Sequence, residues 1–542
     1  MKTAGIIAEY NPFHLGHRYH IEETRRRTGA DYIVAVMSPD FVQRGAPAIL
    51  DKYTRARMAL ENGADLVIEL PVISALSSAE GFAAGGVNLL DRLGVVDVLS
   101  FGTEAPPGEA PLLVTAAEFL RNEPEPFSAR LRSFLRKGMS YPQAREAAFA
   151  VCLQKDHCSP QAGNQIPGNQ SVPSSTQSGC SPQAGNQTPA SDTAAKKAVS
   201  EDDMAQICRL LENPNNILAL EYTKALLAAR SSMEICMIQR QGSGHSDSTL
   251  APAFSSASAI RAELLRSRSQ ATGITEAANS LQFDTYPNSA AFAVEHSTGE
   301  HCGASDAPAS AAFAVEHSAG DPCGATDALA GTAIAAEHSA EDPCGGTAAL
   351  ADALCAGNLP SSVLTAIGQA DPRALLCEDD FSDLLFFSIE EKRDTLGFYG
   401  NGNADLAART GQLFEQFESW TRFAALLKTK NQTYTAISRY LTHLLLGITE
   451  KDRETAAAFG FAPYARILGF RTGAAPLITE MKEHSCIPLL FRPARDRQLL
   501  DEAQTHLFEL DQHAAAIYSR ILYTRTGKRR PHELRQPLIL LP

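Results

Sequence analysis

Over the first hundred residues, short apolar runs alternate with stretches of helical periodicity. This alternation limits the fold more than any other feature of the 542-residue chain. Residues 4–8, 31–37, 66–70 and 96–102 have the length and β-branched content of buried strands. Between them, 16–28, 51–63 and 78–93 read as helices, with Asp51 as an N-cap and Gly63 as a stop. Parallel strands need a crossover connection, so strand–helix–strand alternation predicts βαβ units and an α/β, Rossmann-like parallel sheet. Such a sheet binds ligands outside the carboxyl ends of its strands. Glu9 to His17, Ser38 to Gln43 and Gly102 to Glu104 are the polar groups expected there.

The pattern resumes after an interruption. Asn215 and Asn216 precede a helical stretch over 217–230, residues 234–238 read as a strand ending at Gln239 and Arg240, and 255–261 opens another helix. From about 352 onward the periodicity is mainly helical, clearest over 404–427 and 431–447, with a basic tail at 520–535. The expected organisation is a nucleotide-binding domain in two parts, 1–155 and 201–270, interrupted by an insertion at 156–200. A second insertion at 271–351 and a helical C-terminal domain at 352–542 follow.

Both insertions are repetitive. The phrase that begins at Cys158 returns at Cys180, and His296, His317 and His338 keep a spacing of 21, as do Cys302, Cys323 and Cys344. Duplication of one His and one Cys explains that register, and nothing in a Gly/Ala/Ser-rich chain would fix tetrahedral geometry, so no metal is expected. Such sequences bury too little apolar surface to offset chain entropy and read as disordered. They also account for the charge. Ten acids and no Lys or Arg fall in 281–350, so the rest of the chain carries only −4 of the net −14 and can still engage a polyanion. The eleven cysteines lack paired C-x-x-C spacing and are expected as free thiols. No apolar run approaches a membrane span, and the N-terminus reads as a strand rather than a secretory signal, so the expected location is cytoplasmic.

His14 and His17 directly follow the first strand and open the first helix. Spaced by three, they share one face of its first turn, where free N–H groups and the helix dipole attract anions. Gly16 between them allows close backbone approach. Two imidazoles so placed can donate to phosphate oxygens and stabilise charge building on an α-phosphate.

Ala8-Glu9-Tyr10-Asn11-Pro12-Phe13-His14-Leu15-Gly16-His17 closely resembles the start of the bacterial tRNA(Met) cytidine acetate ligase family, within the wider HIGH-type nucleotidyltransferase superfamily. Val36-Met37-Ser38, Phe41-Val42-Gln43-Arg44-Gly45, the run 64–71, Ser100-Phe101-Gly102-Thr103-Glu104, Ile238-Gln239-Arg240, 434–439 and 464–470 extend the likeness over most of the chain. The resemblance implies a nucleotidyltransferase-type sheet domain and a ligase. It would activate acetate with ATP and Mg2+, release pyrophosphate, and pass the acetyl group from acetyl-AMP to the wobble cytidine of elongator tRNA(Met).

It further implies ATP contacts at Ile7, Ala8, Glu9, Tyr10, Asn11, Pro12, Phe13, His14, Leu15, Gly16, His17, Arg18, Tyr19 and His20, at Gly102, at Asn215 or Asn216, and at Arg240. Catalysis falls to His14 and His17. Ser256, Ser258 and Arg261 resemble the second superfamily motif and would hold the β- and γ-phosphates. The sequence departs from the family pattern at His245, where a Tyr is expected. A cofactor adenylyltransferase would share the histidine chemistry but would not need the C-terminal half.

Basic residues interleaved with tyrosine suit phosphate contact plus base stacking. Lys428, Lys430 and Arg439, and in the tail Arg525, Lys528, Arg529 and Arg530, are therefore the candidate tRNA contacts.

Overall fold

The computed structural model describes residues 1–122, 125–137, 214–241, 254–272, 357–400, 403–430 and 432–542, with single positions at 139, 144, 147, 148, 206 and 207. The insertion at 156–200, the repeats of 289–351 and His245 lie outside the described residues.

Ten strands are described: β1 Thr3–Ala8, β2 Tyr32–Met37, β3 Phe41–Val42, β4 Ala46–Pro47, β5 Leu66–Glu69, β6 Val98–Thr103, β7 Glu234–Gln239, β8 Ala465–Arg471, β9 Leu489–Leu490 and β10 Ile539–Leu541. The main sheet runs β10-β8-β5-β2-β1-β6-β7, with β9 on β8, while β3 and β4 form a separate hairpin. From β5 through β7 every pairing is parallel. The chain moves outward from β1 to β2 and β5, then returns to place β6 and β7 on the other side. The order therefore reverses beside β1, and the crevice outside the ends of β1 and β6 is the site such a topology opens.

Local sequence explains the central elements. Residues Ile33 to Met37 are fully buried, as a strand covered on both faces must be. α1 (Leu15–Thr28) begins one residue earlier than its periodicity suggested, because His14 caps it, and Gly29 ends it with φ +65°. α2 (Lys52–Glu61) starts at Asp51, whose carboxylate accepts from the amides of Tyr53 and Thr54.

α3 (Val72–Ala75) and α4 (Ala79–Arg92) follow β5; α5 (Ala110–Asn122) and α6 (Glu125–Arg136) follow β6. α7 (Pro214–Ala229) precedes β7, and α8 (Ala257–Thr272) follows it. Among the described residues no helix is long and apolar enough to cross a membrane, and Cys236, Cys377 and Cys486 are thiols outside any disulfide.

The C-terminal half is mainly helical, as its periodicity suggests, but it also extends the sheet. β8 pairs antiparallel with β5, and β9 and β10 each pair parallel with β8. Phe41, Val72, Ile73 and Leu76 share one apolar cluster with Trp420, Tyr440, Leu444 and Tyr518. Lys52 is buried, with its Nζ 2.7 Å from Glu69 and 2.8 Å from Glu533. Tyr53 donates to the same Glu533 oxygen at 2.7 Å. Through this charge cluster the last residues of the chain are tied to the end of β5.

Candidate active site

His14 sits in extended backbone at the N-cap of α1, and its imidazole does the capping. Gly16 N donates to His14 Nδ1 at 3.1 Å, and His14 N donates to His17 Nδ1 at 3.2 Å. Both Nδ1 atoms therefore accept, so each neutral ring carries its proton on Nε2. The rings stack with centroids 3.7 Å apart and 23° between planes. Tyr10 and Phe13 pack on His17 at 4.9 and 5.5 Å.

Burial, together with His14, Arg240 and His20, holds the His17 pKa well below its usual value. His20, one turn on, is lowered to about 4 by burial and by Arg240, and its Nε2 lies 3.0 Å from Ser100 Oγ. The site thus presents neutral imidazoles, which are hydrogen-bond donors rather than cations. A Cβ on Gly16 would lie 2.9 Å from His14 Cε1, so glycine there protects the ring position.

Gly102, near the end of β6, has open space above it apart from the stem of Arg240. An added Cβ would meet Arg240 Cγ at 3.6 Å, at ordinary van der Waals separation. The fold alone therefore does not demand glycine. Arg240 N donates to Thr103 O at 2.9 Å, continuing the β6–β7 ladder and carrying the exposed side chain across Gly102. Asn216 is buried, and its Oδ1 accepts from Thr103 Oγ1 at 2.7 Å and from Glu104 N at 3.0 Å, which braces the exit of β6. The side chain of Asn215 lies outside the described residues.

The second motif faces the first. Ser256 Oγ accepts from Ala259 N at 3.1 Å, capping α8. Arg261 Nη1 reaches Asn11 O at 2.7 Å, and its Nη2 lies 3.1 Å from Ser258 Oγ. Arg261 is pushed down to about 10, chiefly by burial and then by Arg44.

Three supports escaped sequence reasoning. Arg55 is fully buried and donates to the carbonyls of Leu50, Glu9, Ser38 and Pro39, knitting the loops after β1 and β2 together. Its only signal was an arginine at i+4 from the Asp51 cap on an otherwise buried helix face. Asn358 accepts from Leu15 N through its carbonyl and from Ser255 N through its side chain, which joins the starts of α1 and α8. It follows a long repetitive stretch, and no local pattern marks it. Arg44 lies 3.2 Å from Ser258 Oγ.

The basic residues separate into two kinds. Lys428, Lys430, Lys528 and Arg529 are exposed, and Arg529 lies over the Tyr523 ring at 5.3 Å. Arg525 pairs with Asp380, and Arg530 pairs with Asp51 at 2.7 Å. Arg439 donates to Gln43 O at 3.4 Å.

A family model described as HIGH Nucleotidyl Transferase matches residues 1–298 and 330–533. The tRNA(Met) cytidine acetate ligase of Acetivibrio thermocellus is 29% identical over 546 residues, covering 100% of both chains. That of Clostridium novyi is 38% identical over 268 residues, covering 49% of this chain and 54% of the relative. The crystal structure of Thermotoga maritima TmcAL without ligand superposes with a TM-score of 0.70 at 23% identity, covering both chains fully. The form bound with alpha-thio ATP gives 0.69, also at 23% identity and full coverage.

Proposed function

The chain belongs to the HIGH nucleotidyl transferase family, and from that premise we propose that it is an ATP-dependent ligase that acetylates the wobble cytidine of elongator tRNA(Met). Acetate attacks the α-phosphorus of ATP and pyrophosphate leaves; the N4 amine of the base then attacks the acetyl carbon of acetyl-AMP, the acyl C–O bond breaks, and AMP leaves as the amine loses a proton. The carrying observation is the stacked, neutral His14–His17 pair at the start of α1, beside the open floor at Gly102. The names of the full-length relatives support the substrate assignment.

In this reading the Nε2–H groups of His14 and His17 donate to the α-phosphate as its charge rises. Neutral donors are already in place and need no proton transfer during the step. Arg240 neutralises phosphate charge, and the loop that Asn216 braces holds the nucleoside over Gly102. Mg2+ would arrive on the phosphate oxygens, since it keeps several waters and needs no all-protein cage. Glu9 and Glu378, the carboxylates whose charge acts on Arg261, are the residues that could take up its water shell. Bound there, the ion would neutralise phosphate charge.

The RNA is held by exposed cations of the C-terminal half, Lys428, Lys430, Lys528 and Arg529, and the enzyme works in the cytoplasm, where tRNA is modified. A cofactor adenylyltransferase would leave those cations and the helical half without a role. Acetate-dependent pyrophosphate release from ATP in the absence of RNA tests the activation step. Release that ignores acetate but follows a phosphorylated small molecule would favour the adenylyltransferase.

A further inference from the structure

Arg44 stands at the turn of the β3–β4 hairpin, and the turn is held from several sides. Gln43 N donates to Glu9 Oε1 at 2.9 Å. Ser438 Oγ and Thr442 Oγ1 each donate to Gly45 O at 2.8 Å. Gly45 has φ +76°, and a Cβ there would lie 2.2 Å from the backbone nitrogen of Arg439. The helix Tyr434–Leu446 therefore packs its own backbone against the turn, and only glycine permits that approach.

Arg44 itself is exposed, yet its guanidinium is not adrift. Its Nη1 lies 3.2 Å from Ser258 Oγ, the same hydroxyl that Arg261 Nη2 meets at 3.1 Å. Two guanidinium groups from distant parts of the chain thus converge within two hydrogen-bond lengths at the first turn of α8. Arg261 also donates to Asn11 O, three residues before His14, which puts this charge beside the imidazole pair.

Glu9 and Glu378 face Arg261 and offset part of the charge. Two forked cations at a 16-residue helix N-terminus suit a multiply charged oxyanion better than a single carboxylate such as acetate.

We propose that Arg44 is a phosphate-binding residue that joins Arg261 in holding the β- and γ-phosphates of ATP, and that the helix Tyr434–Leu446 sets its position. The inference rests on the ATP reading above. As the acetate oxygen bonds to the α-phosphorus, the bond to the bridging oxygen of the β-phosphate breaks. The electron pair leaves with pyrophosphate, and Arg44 stabilises the charge gathering there. Because the hairpin is held by Ser438, Thr442 and Arg439, the half of the protein proposed to hold RNA also places a residue on the leaving group.

The test is calorimetric binding of ATP, inorganic pyrophosphate and AMP to the full-length protein and its variants. Arg44→Ala weakens ATP and pyrophosphate roughly 10- to 100-fold and leaves AMP unchanged, since the substitution removes a charge-assisted hydrogen bond to the outer phosphates. Arg44→Lys recovers part of that affinity. Ser438→Ala with Thr442→Val shows a smaller loss of the same selectivity, because the hairpin loosens while Arg44 remains. Equal weakening of ATP and AMP, or unchanged ATP and pyrophosphate binding, overturns the assignment. A rise confined to the acetate KM would also overturn it, by moving Arg44 to the carboxylate. Wild-type protein that binds neither ATP nor AMP would instead fail at the parent reading. Arg44 is exposed, so its removal should leave thermal unfolding as in wild type.

Discussion

His14 N donates to His17 Nδ1 while the two imidazoles lie stacked at 3.7 Å, so each ring's position depends on the other. Burial first, and then the neighbouring His14 ring, depress the pKa of His17, and stacked rings at that distance cannot both be protonated cheaply. The pair is built as two fixed neutral donors at a helix N-terminus.

The two site glycines should respond differently. Gly16→Ala drives a methyl group into the His14 ring, so kcat for pyrophosphate release should fall, by an amount approaching the loss of one charge-stabilising donor, ~10²–10³. Gly102→Ala meets only the Arg240 stem, so stability should stay within ~0.5 kcal/mol while the ATP KM rises. A Gly102→Ala enzyme with an unchanged KM would show that the nucleoside does not lie over β6.

Acid should reveal His20. Its folded pKa is lowered to about 4, against the ordinary 6.5 of the unfolded chain. Between those values the unfolded state holds a proton that the folded state does not. The contribution of His20 to stability is therefore full above 6.5 and is lost as pH falls toward 4. Glu69, raised to about 7, and Asp40 and Asp511, raised to about 6, act in the opposite sense, so the global melting curve mixes both. A site-resolved NMR titration separates them: His20 should remain neutral at pH 6 and protonate near 4. A midpoint near 6.5 would contradict the half-buried environment close to Arg240.

What the sequence made legible was what local patterning controls. The parallel strands β1, β2, β5, β6 and β7 and the Asp51 cap were readable, because buried strands and caps carry their signal in adjacent residues. So was the placing of His14, His17 and Gly102 at strand ends. The extension of the sheet by β8 and β10 was not. Residues 465–471 lie among helices, and their partner β5 is some 400 residues away, so no nearby pattern announces the pairing. The same reason hid Asn358 and the hold of Ser438 on the β3–β4 turn. In the basic tail, composition did not distinguish Arg525 and Arg530, engaged with Asp380 and Asp51, from the exposed Lys528 and Arg529.

The buried cluster at the end of β5 should be unforgiving of truncation. Lys52→Ala removes the ammonium that pairs with both Glu69 and Glu533, leaving those buried carboxyls with Arg466, 4.0 Å from Glu533, as the remaining cation, and should cost ~3–5 kcal/mol in urea unfolding. Glu533→Gln in the same background should return part of that stability by removing one charge. A Lys52→Ala protein as stable as wild type would mean that the cluster does not tie the chain's end to the sheet.

RNA binding should depend on the exposed cations only. Lys528→Ala with Arg529→Ala should weaken tRNA binding. The slope of log affinity against log salt should flatten by about one for each phosphate that a removed cation had neutralised, with ATP-dependent pyrophosphate release unaffected. Arg530→Ala should instead lower the unfolding midpoint, because Asp51 loses its partner while capping α2. An unchanged salt slope in the double variant would move the RNA site toward Lys428 and Lys430.

The central claim is tested most directly by incubating the full-length protein with labelled acetate, ATP and elongator tRNA(Met), digesting the RNA, and measuring labelled N4-acetylcytidine. The account predicts acetylcytidine at the wobble position that requires ATP and acetate. It also predicts a fall of ~10²–10³ in rate for His14→Ala and for His17→Ala, with both variants folded. Wild-type protein that binds tRNA yet forms no acetylcytidine, or His14→Ala and His17→Ala enzymes that form it at the wild-type rate, would contradict it.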